Sequence, residues 1–342
     1  MQTFAYEHAG SARDALRAAS RHLTTPGDTH VGAPAQYLAG GTTLLDLMKL
    51  YVMRPEVLIN IGDLRREYGA IRADASGLYL GALVRMAEAA GHPDVLRDYP
   101  VIAQTLQLAA SAQLRNMATL AGNVLQRTRC NYFRDPSWST CNKRAPGSGC
   151  AAIGGENRQL AVLGVSPSCI AHYPGDFANA LAALGAEVEV IDRDGGTRSL
   201  PFEALHRVPG DTPHIETTLV PGELITGFRV PAGPWTRRSL YVKVRDRESY
   251  AFALASAAVA LDLRDGVVQE ARVALGGLAA KPWRSHEAEA ALRGKPLDET
   301  SAQAAAEAAF QGAVTHEHTR YKPELGRRTL VRALLEAAAL EV

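Results

Sequence analysis

No stretch of this 342-residue chain approaches the roughly 18 consecutive apolar residues that cross a bilayer, so a helical membrane span is excluded. The opening residues, Met1-Gln-Thr-Phe-Ala-Tyr-Glu7, have neither a basic n-region nor an apolar h-region, and no export signal of the chain's own is expected. The expected compartment is the cytoplasm, or the periplasm if the chain leaves the cell folded with a signal-bearing partner subunit. Neither sign of charge dominates, with 37 Lys+Arg against 36 Asp+Glu, which argues against nucleic acid or an anionic membrane as partner. The ten histidines show no pairing at metal-ligand spacing, and there is no internal repeat or low-complexity tract.

Cysteine is scarce. There are four, Cys130, Cys141, Cys150 and Cys169, and all lie within one stretch rich in Pro, Gly and basic residues. Four thiolates satisfy one four-iron cluster, and the loop Cys141-Asn-Lys-Arg-Ala-Pro-Gly-Ser-Gly-Cys150 has the flexible backbone and positive charge that suit an anionic centre. A chain holding such a centre moves electrons. Two disulfides are an alternative, but disulfides usually staple small secreted domains, and a chain of this size with 46% hydrophobic residues builds a core unaided. Structural zinc is another, but intervals of ten, eight and eighteen residues contain no paired knuckle. Ferredoxin spacings are absent too, so spacing alone does not establish iron.

What is present predicts an α+β chain. Residues 3–6 read as a strand, Ser11 with Asp14 as a capping-box start to a helix reaching about Arg21, and residues 24–35 as a loop. Residues 36–39 read as a strand, 44–49 as a helix and 57–61 as a buried strand. Further on, strands are expected at 77–83 and 186–192 and helices at 101–112 and 177–184, with Pro231 to Pro234 as a linker. Beyond it, two strands about the turn at Arg264-Asp-Gly-Val267 and helices at 285–293, 301–315 and 325–340 suggest a sheet covered by helices on one side.

The segment Leu38-Ala-Gly-Gly-Thr-Thr43 sits between a strand and a helix. Its two glycines let backbone approach a ligand closely, and the following helix start offers unpaired N–H groups to phosphate oxygens. A tight turn reads the same way. A second segment, Ala118-Thr-Leu-Ala-Gly-Asn123, places another Thr and Gly-Asn at a turn just before the first cysteine.

Together these two segments resemble the FAD-contacting motifs of the flavin-binding subunit of the xanthine dehydrogenase family of molybdenum hydroxylases. The resemblance extends to Leu219-Val-Pro-Gly-Glu-Leu-Ile225 and Tyr241-Val-Lys-Val-Arg-Asp-Arg247. Within that family the chain is most similar to the flavoprotein subunit of the periplasmic aldehyde oxidoreductase type, whose cluster-bearing insertion looks like residues 126–170. The resemblance implies a two-subdomain FAD-binding domain of the PCMH type over 1–227, with subdomains of about 1–60 and 61–227, and a C-terminal flavoprotein domain over 235–342.

The resemblance also implies site residues. Gln36, Tyr37, Leu38, Ala39, Gly40, Gly41, Thr42, Thr43 and Leu44 would wrap the FAD pyrophosphate, with Thr119, Gly122 and Asn123 as a second wall. Asp176 would contact the cofactor, Ile225 would sit against its adenine half, and Lys243 would lie near the isoalloxazine ring, where a cation favours the anionic reduced flavin. Cys130, Cys141, Cys150 and Cys169 would ligate a 4Fe-4S cluster, expected to be structural or modulatory because the insertion lies outside the FAD motifs. Other readings accompany these: Asp176 as a helix cap, Lys243 as a solvent-facing strand residue, Ile225 as core, and His172 as a loop residue. A large molybdopterin-binding subunit would perform the substrate chemistry, a small 2Fe-2S subunit would pass electrons, and this chain would hand them to an external acceptor. The competing readings are the flavin subunit of a hydroxybenzoyl-CoA reductase-like complex, an autonomous FAD-dependent oxidase, and a non-catalytic assembly protein.

Overall fold

A computed structural model describes residues 1–22 and 31–342. Among these residues twelve strands form three sheets. Strands β1 (Ala5–His8), β2 (Ala35–Leu38) and β3 (Val57–Asn60) form a small parallel sheet in the order β1-β3-β2. Parallel pairing needs crossovers, and the helix Ala12–Ser20 provides one. Its start is the expected one, with the Ser11 hydroxyl accepting from the Asp14 N–H at 3.2 Å. Of the loop expected over 24–35, residues 24–30 lie outside the described residues.

The second sheet is antiparallel and joins distant segments: β4 (Ile71–Asp74), β5 (Gly77–Gly81), β6 (Glu187–Ile191), β7 (Thr197–Pro201) and β8 (Leu224–Pro231), in the order β4-β5-β8-β6-β7. Pro231 still pairs with Gly77, so the expected linker begins inside a strand. The helix Phe177–Ala183 packs here with all seven residues buried, six of them apolar and the seventh, Asn179, donating its side-chain amide to the Gly175 carbonyl at 3.1 Å. The helix expected over 101–112 divides into Pro100–Gln107 and Ala112–Arg115. Ala110 adopts a positive φ of 50° and the Ser111 hydroxyl caps the second piece.

The third sheet holds β9 (Ser239–Val244), β10 (Ala255–Arg264), β11 (Val267–Gly276) and β12 (Trp283–Arg284), in the order β12-β11-β10-β9. Asp265 and Gly266 both have positive φ, the two-residue turn that suits a tight hairpin. The helices His286–Leu292, Glu299–Ala309 and Lys322–Ala338 cover one face, against Ala257, Val259, Leu261, Val273 and Leu275. The other face, through Tyr241, Ala258, Ala260 and Ala274, joins the core built by the second sheet and its helices. The middle helix of the three starts earlier than expected, because Asp298 and Ser301 cap one another reciprocally at 2.9 and 3.0 Å.

Candidate functional site

Strand β2 ends at Leu38, and the chain turns at once through Ala39, Gly40 and Gly41 into the helix Leu44–Lys49. Gly41 takes a φ of 72°, open to glycine at little cost. Gly40 is demanded by crowding, since a Cβ there would lie 2.0 Å from the Met117 carbonyl oxygen. The two glycine-bearing segments therefore touch backbone to backbone. Around them lies a cavity of about 340 Å³, within the range of small-molecule and cofactor sites. All nine residues from Gln36 to Leu44 line it, together with Thr119, Gly122 and Ile225. Thr119 caps the short helix Leu120–Val124, its hydroxyl accepting from the Gly122 N–H, whereas the Thr43 side chain makes no capping bond. Ile225 serves both readings, lining the cavity and packing into the main core.

Among the described residues four cations, Arg127, Lys143, Arg207 and Lys281, line this cavity against two carboxylates, Glu216 and Glu223. Arg127 donates through Nε to Glu216 at 2.6 Å, and Lys143 donates to the other Glu216 oxygen at 2.9 Å and to the Pro213 carbonyl at 3.0 Å. Burial opposes ionisation of Glu216, but the two flanking cations overcome it and hold the carboxyl at about 2. This triad is not legible in the sequence. The basic character of the cysteine loop was its only trace, and that charge goes elsewhere than expected: Lys143 to Glu216, and Arg144 to the carbonyls of Tyr132, Phe133, Asp135 and Trp138.

The four cysteines are free thiols and line one small adjoining cavity. Cys141 and Cys150 face each other across a β-bridge, closed by the Asn142 N–H to the Gly149 carbonyl at 2.8 Å. Asn142 reaches on to the Ser168 carbonyl at 2.9 Å, which draws the Cys169 segment in. Cys130 is placed by Thr128, whose hydroxyl accepts its N–H and donates to the His172 carbonyl. Burial pushes the thiols of Cys130 and Cys169 up to about 12 and about 11. Among the described residues no group of three or more His, Cys, Asp or Glu is placed to hold a metal ion, so the thiols form no single-ion chelate. Four thiols around one cavity are the donor chemistry that a multi-iron centre would use. The insertion is not remote from the glycine segments: Cys169, Ala171 and Lys143 line both cavities, and Arg129 and Arg134 pair with Asp46 in the helix after the glycine loop.

Three expected cofactor contacts, Asn123, Asp176 and Lys243, are not on the wall of the large cavity. Asp176 stands at the N-cap position of the helix Phe177–Ala183 but makes no capping bond. Its carboxylate instead accepts from Lys243 Nζ at 2.7 Å and from the Tyr241 hydroxyl at 2.6 Å. Lys243 is not solvent-facing either, because β9 lies along the helix Pro100–Gln107 and Nζ also donates to the Leu108 carbonyl at 3.0 Å. Burial raises the Asp176 carboxyl, and Lys243 and Tyr241 offset this only in part. Asn123 sits within its short helix with Oδ1 buried and unpartnered. His172 is a buried wall residue of the large cavity.

His206 lines the cavity as well, with Nε2–H donating to the Val124 carbonyl at 3.1 Å and the ring edge-on to Tyr173. Burial, opposed by the Val124 carbonyl, pushes it down to about 4. The unfolded chain binds this proton from about pH 6.5 downward and the folded chain only near 4, so stability falls as pH drops through that window. The loss from this group is roughly 3 kcal/mol. Urea midpoints at pH 7, 5.5 and 4.5 should show it, and His206→Gln, which keeps the donor without the titration, should flatten the decline.

Residues 2–233 match the family described as the FAD-binding domain in molybdopterin dehydrogenase, and residues 240–342 the CO dehydrogenase flavoprotein C-terminal domain. The aldehyde oxidoreductase FAD-binding subunit PaoB of Escherichia coli (strain K12) is 46% identical over 339 residues, covering 99% of each chain. The carbon monoxide dehydrogenase medium chain of Hydrogenophaga pseudoflava is 26% identical over 314 residues, 90% of this chain and 91% of that one. The solved carbon monoxide dehydrogenase of the same organism superposes with a TM-score of 0.73 at 25% identity, covering 98% of this chain and 97% of that one.

Proposed function

We propose, for a chain that belongs to the FAD-binding domain family of the molybdopterin dehydrogenases, the role of flavin-carrying electron-transfer subunit in a molybdenum hydroxylase-type complex. The observation that carries this reading is the large cavity, whose wall contains the whole segment from Gln36 to Leu44 and a surplus of cations. Bound FAD supplies a centre that takes electrons singly or in pairs. The chain's own residues do the holding. Gly40 and Gly41 bring backbone close to the diphosphate, Thr42 and Thr43 offer hydroxyls, Thr119 and Gly122 close the second wall, and Ile225 gives an apolar surface to the adenine half. Asp176 and Lys243 act at one remove, fastening β9 to the start of the helix Phe177–Ala183 and to the end of the helix Pro100–Gln107.

For the insertion we propose a 4Fe-4S cluster on Cys130, Cys141, Cys150 and Cys169. Four free thiols around one cavity support it, as does the shared wall at Cys169. Such a cluster supplies one-electron steps. A large molybdopterin-binding subunit would then perform the substrate chemistry, with a small 2Fe-2S subunit between it and this chain and an external acceptor beyond. No helix among the described residues is long and apolar enough to cross a membrane.

An absorption spectrum of the purified protein with iron and sulfide assays tests both cofactors. About one FAD and about four irons per chain are expected. Flavin bands without iron would remove the cluster and leave the flavin reading. Colourless protein would remove both.

A further inference from the structure

The Arg127–Glu216–Lys143 triad leaves a buried guanidinium half used. Arg127 is 8% exposed, its Nε is spent on Glu216, and Nη1 and Nη2 have no hydrogen-bond partner among the described residues. One carboxylate serves two cations, so the wall carries surplus positive charge inside the protein. A buried cation with idle donors is costly unless an anion completes it. The guanidinium plane is also fixed, lying over the Phe133 ring at 4.7 Å. Arg127 lines the cavity, and an idle fork buried on such a residue is shaped for bidentate contact with an oxyanion that reaches it.

Resting on the flavin reading above, we propose that Arg127 is a cofactor-binding residue whose Nη fork engages the diphosphate of the dinucleotide. Glu216 aims the fork by holding Nε, and Lys143 anchors Glu216. The diphosphate is the fitting partner because its charge is permanent and its paired oxygens match two parallel N–H groups, whereas the flavin ring is anionic only when reduced. The residue lies in the cysteine-bearing insertion, so that insertion would contribute to holding the flavin.

The test uses the full-length chain stripped of flavin, titrated calorimetrically with FAD, ADP and riboflavin. Arg127→Met should weaken FAD and ADP by roughly ten- to hundred-fold and leave riboflavin, which has no phosphate, unchanged. Arg127→Lys keeps the charge and loses the fork, and should show a smaller loss with the same selectivity. It carries the test alone if the methionine variant fails to fold. Unchanged FAD affinity, or equal losses for riboflavin, would overturn the assignment, since a merely structural arginine would not discriminate among the three ligands. Wild-type protein that takes up no FAD would sink the flavin reading itself, an outcome distinct from unselective variants on a binding wild type.

Discussion

Gly40→Ala should strip the protein of its flavin. The added Cβ would meet the Met117 carbonyl oxygen at 2.0 Å, its carbon at 2.8 Å and the Ala118 Cα at 3.1 Å, all of them backbone. That backbone has little freedom to retreat. The Ala118 N–H is bonded to the Leu114 carbonyl at 2.8 Å, and the Ala118 carbonyl accepts from the Met86 N–H at 2.9 Å. The two cavity segments must separate, and donors displaced by an ångström no longer converge on one ligand. Overpacking of this kind costs roughly 1–3 kcal/mol in stability. The effect on flavin affinity should be larger, about a hundred-fold or more, because several contacts go together. The ratio of flavin to protein absorbance after gel filtration measures it. Gly91→Ala is the control, since a Cβ there meets nothing within 4 Å. A Gly40→Ala protein that emerges with its full flavin complement would show that the two segments are not a joint binding wall.

Asp176→Asn should be among the most destabilising single changes available in this chain. It leaves Lys243, whose side chain is 1% exposed, as a buried cation without its counter-ion, and weakens the acceptor of the Tyr241 hydroxyl. Breaking one side of a buried pair costs about 3–5 kcal/mol. Removing both charges with Asp176→Asn and Lys243→Met should recover much of that loss, which a urea denaturation cycle measures. Neither residue lines the large cavity, so the flavin midpoint potential of the Lys243→Met protein should match the wild type. A stable Asp176→Asn protein with a displaced potential would return both residues to the flavin site, as the family resemblance implies.

Features that depend on neighbouring residues were legible in the sequence. The Ser11 cap, the glycine turn after β2, the hairpin at Asp265-Gly266 and the cysteine-bearing loop are written in local chemistry, and each stands close to where its residues put it. Features made by long-range pairing were not. Arg127 meets Glu216 across 89 positions, and nothing near either residue announces the other. Lys243 alternates with apolar neighbours, the pattern of a strand with one wet face, yet the polar face of β9 is covered by a helix 135 residues earlier in the chain. Asp176 stands where a cap belongs, and its side chain finds stronger partners in the third sheet. In both cases alternation and capping rules describe a single element, while burial by a distant element decides what the side chain does.

From Ala255 to Leu261 strand β10 has no face turned to water. Ala257, Val259 and Leu261 belong to one core, and Ala258 and Ala260 to the other. Beyond β11 the same chain runs on into Ala280 and Lys281, which stand on the cavity wall. That side of the cavity is thus mounted on a slab gripped from above and below, with no dry plane along which it could slide. Any widening to admit or release a large ligand falls instead to the neighbouring segment from His206 to Glu223, which lines the cavity as turns and an isolated bridge rather than regular structure and meets Lys281 only at the His206 carbonyl.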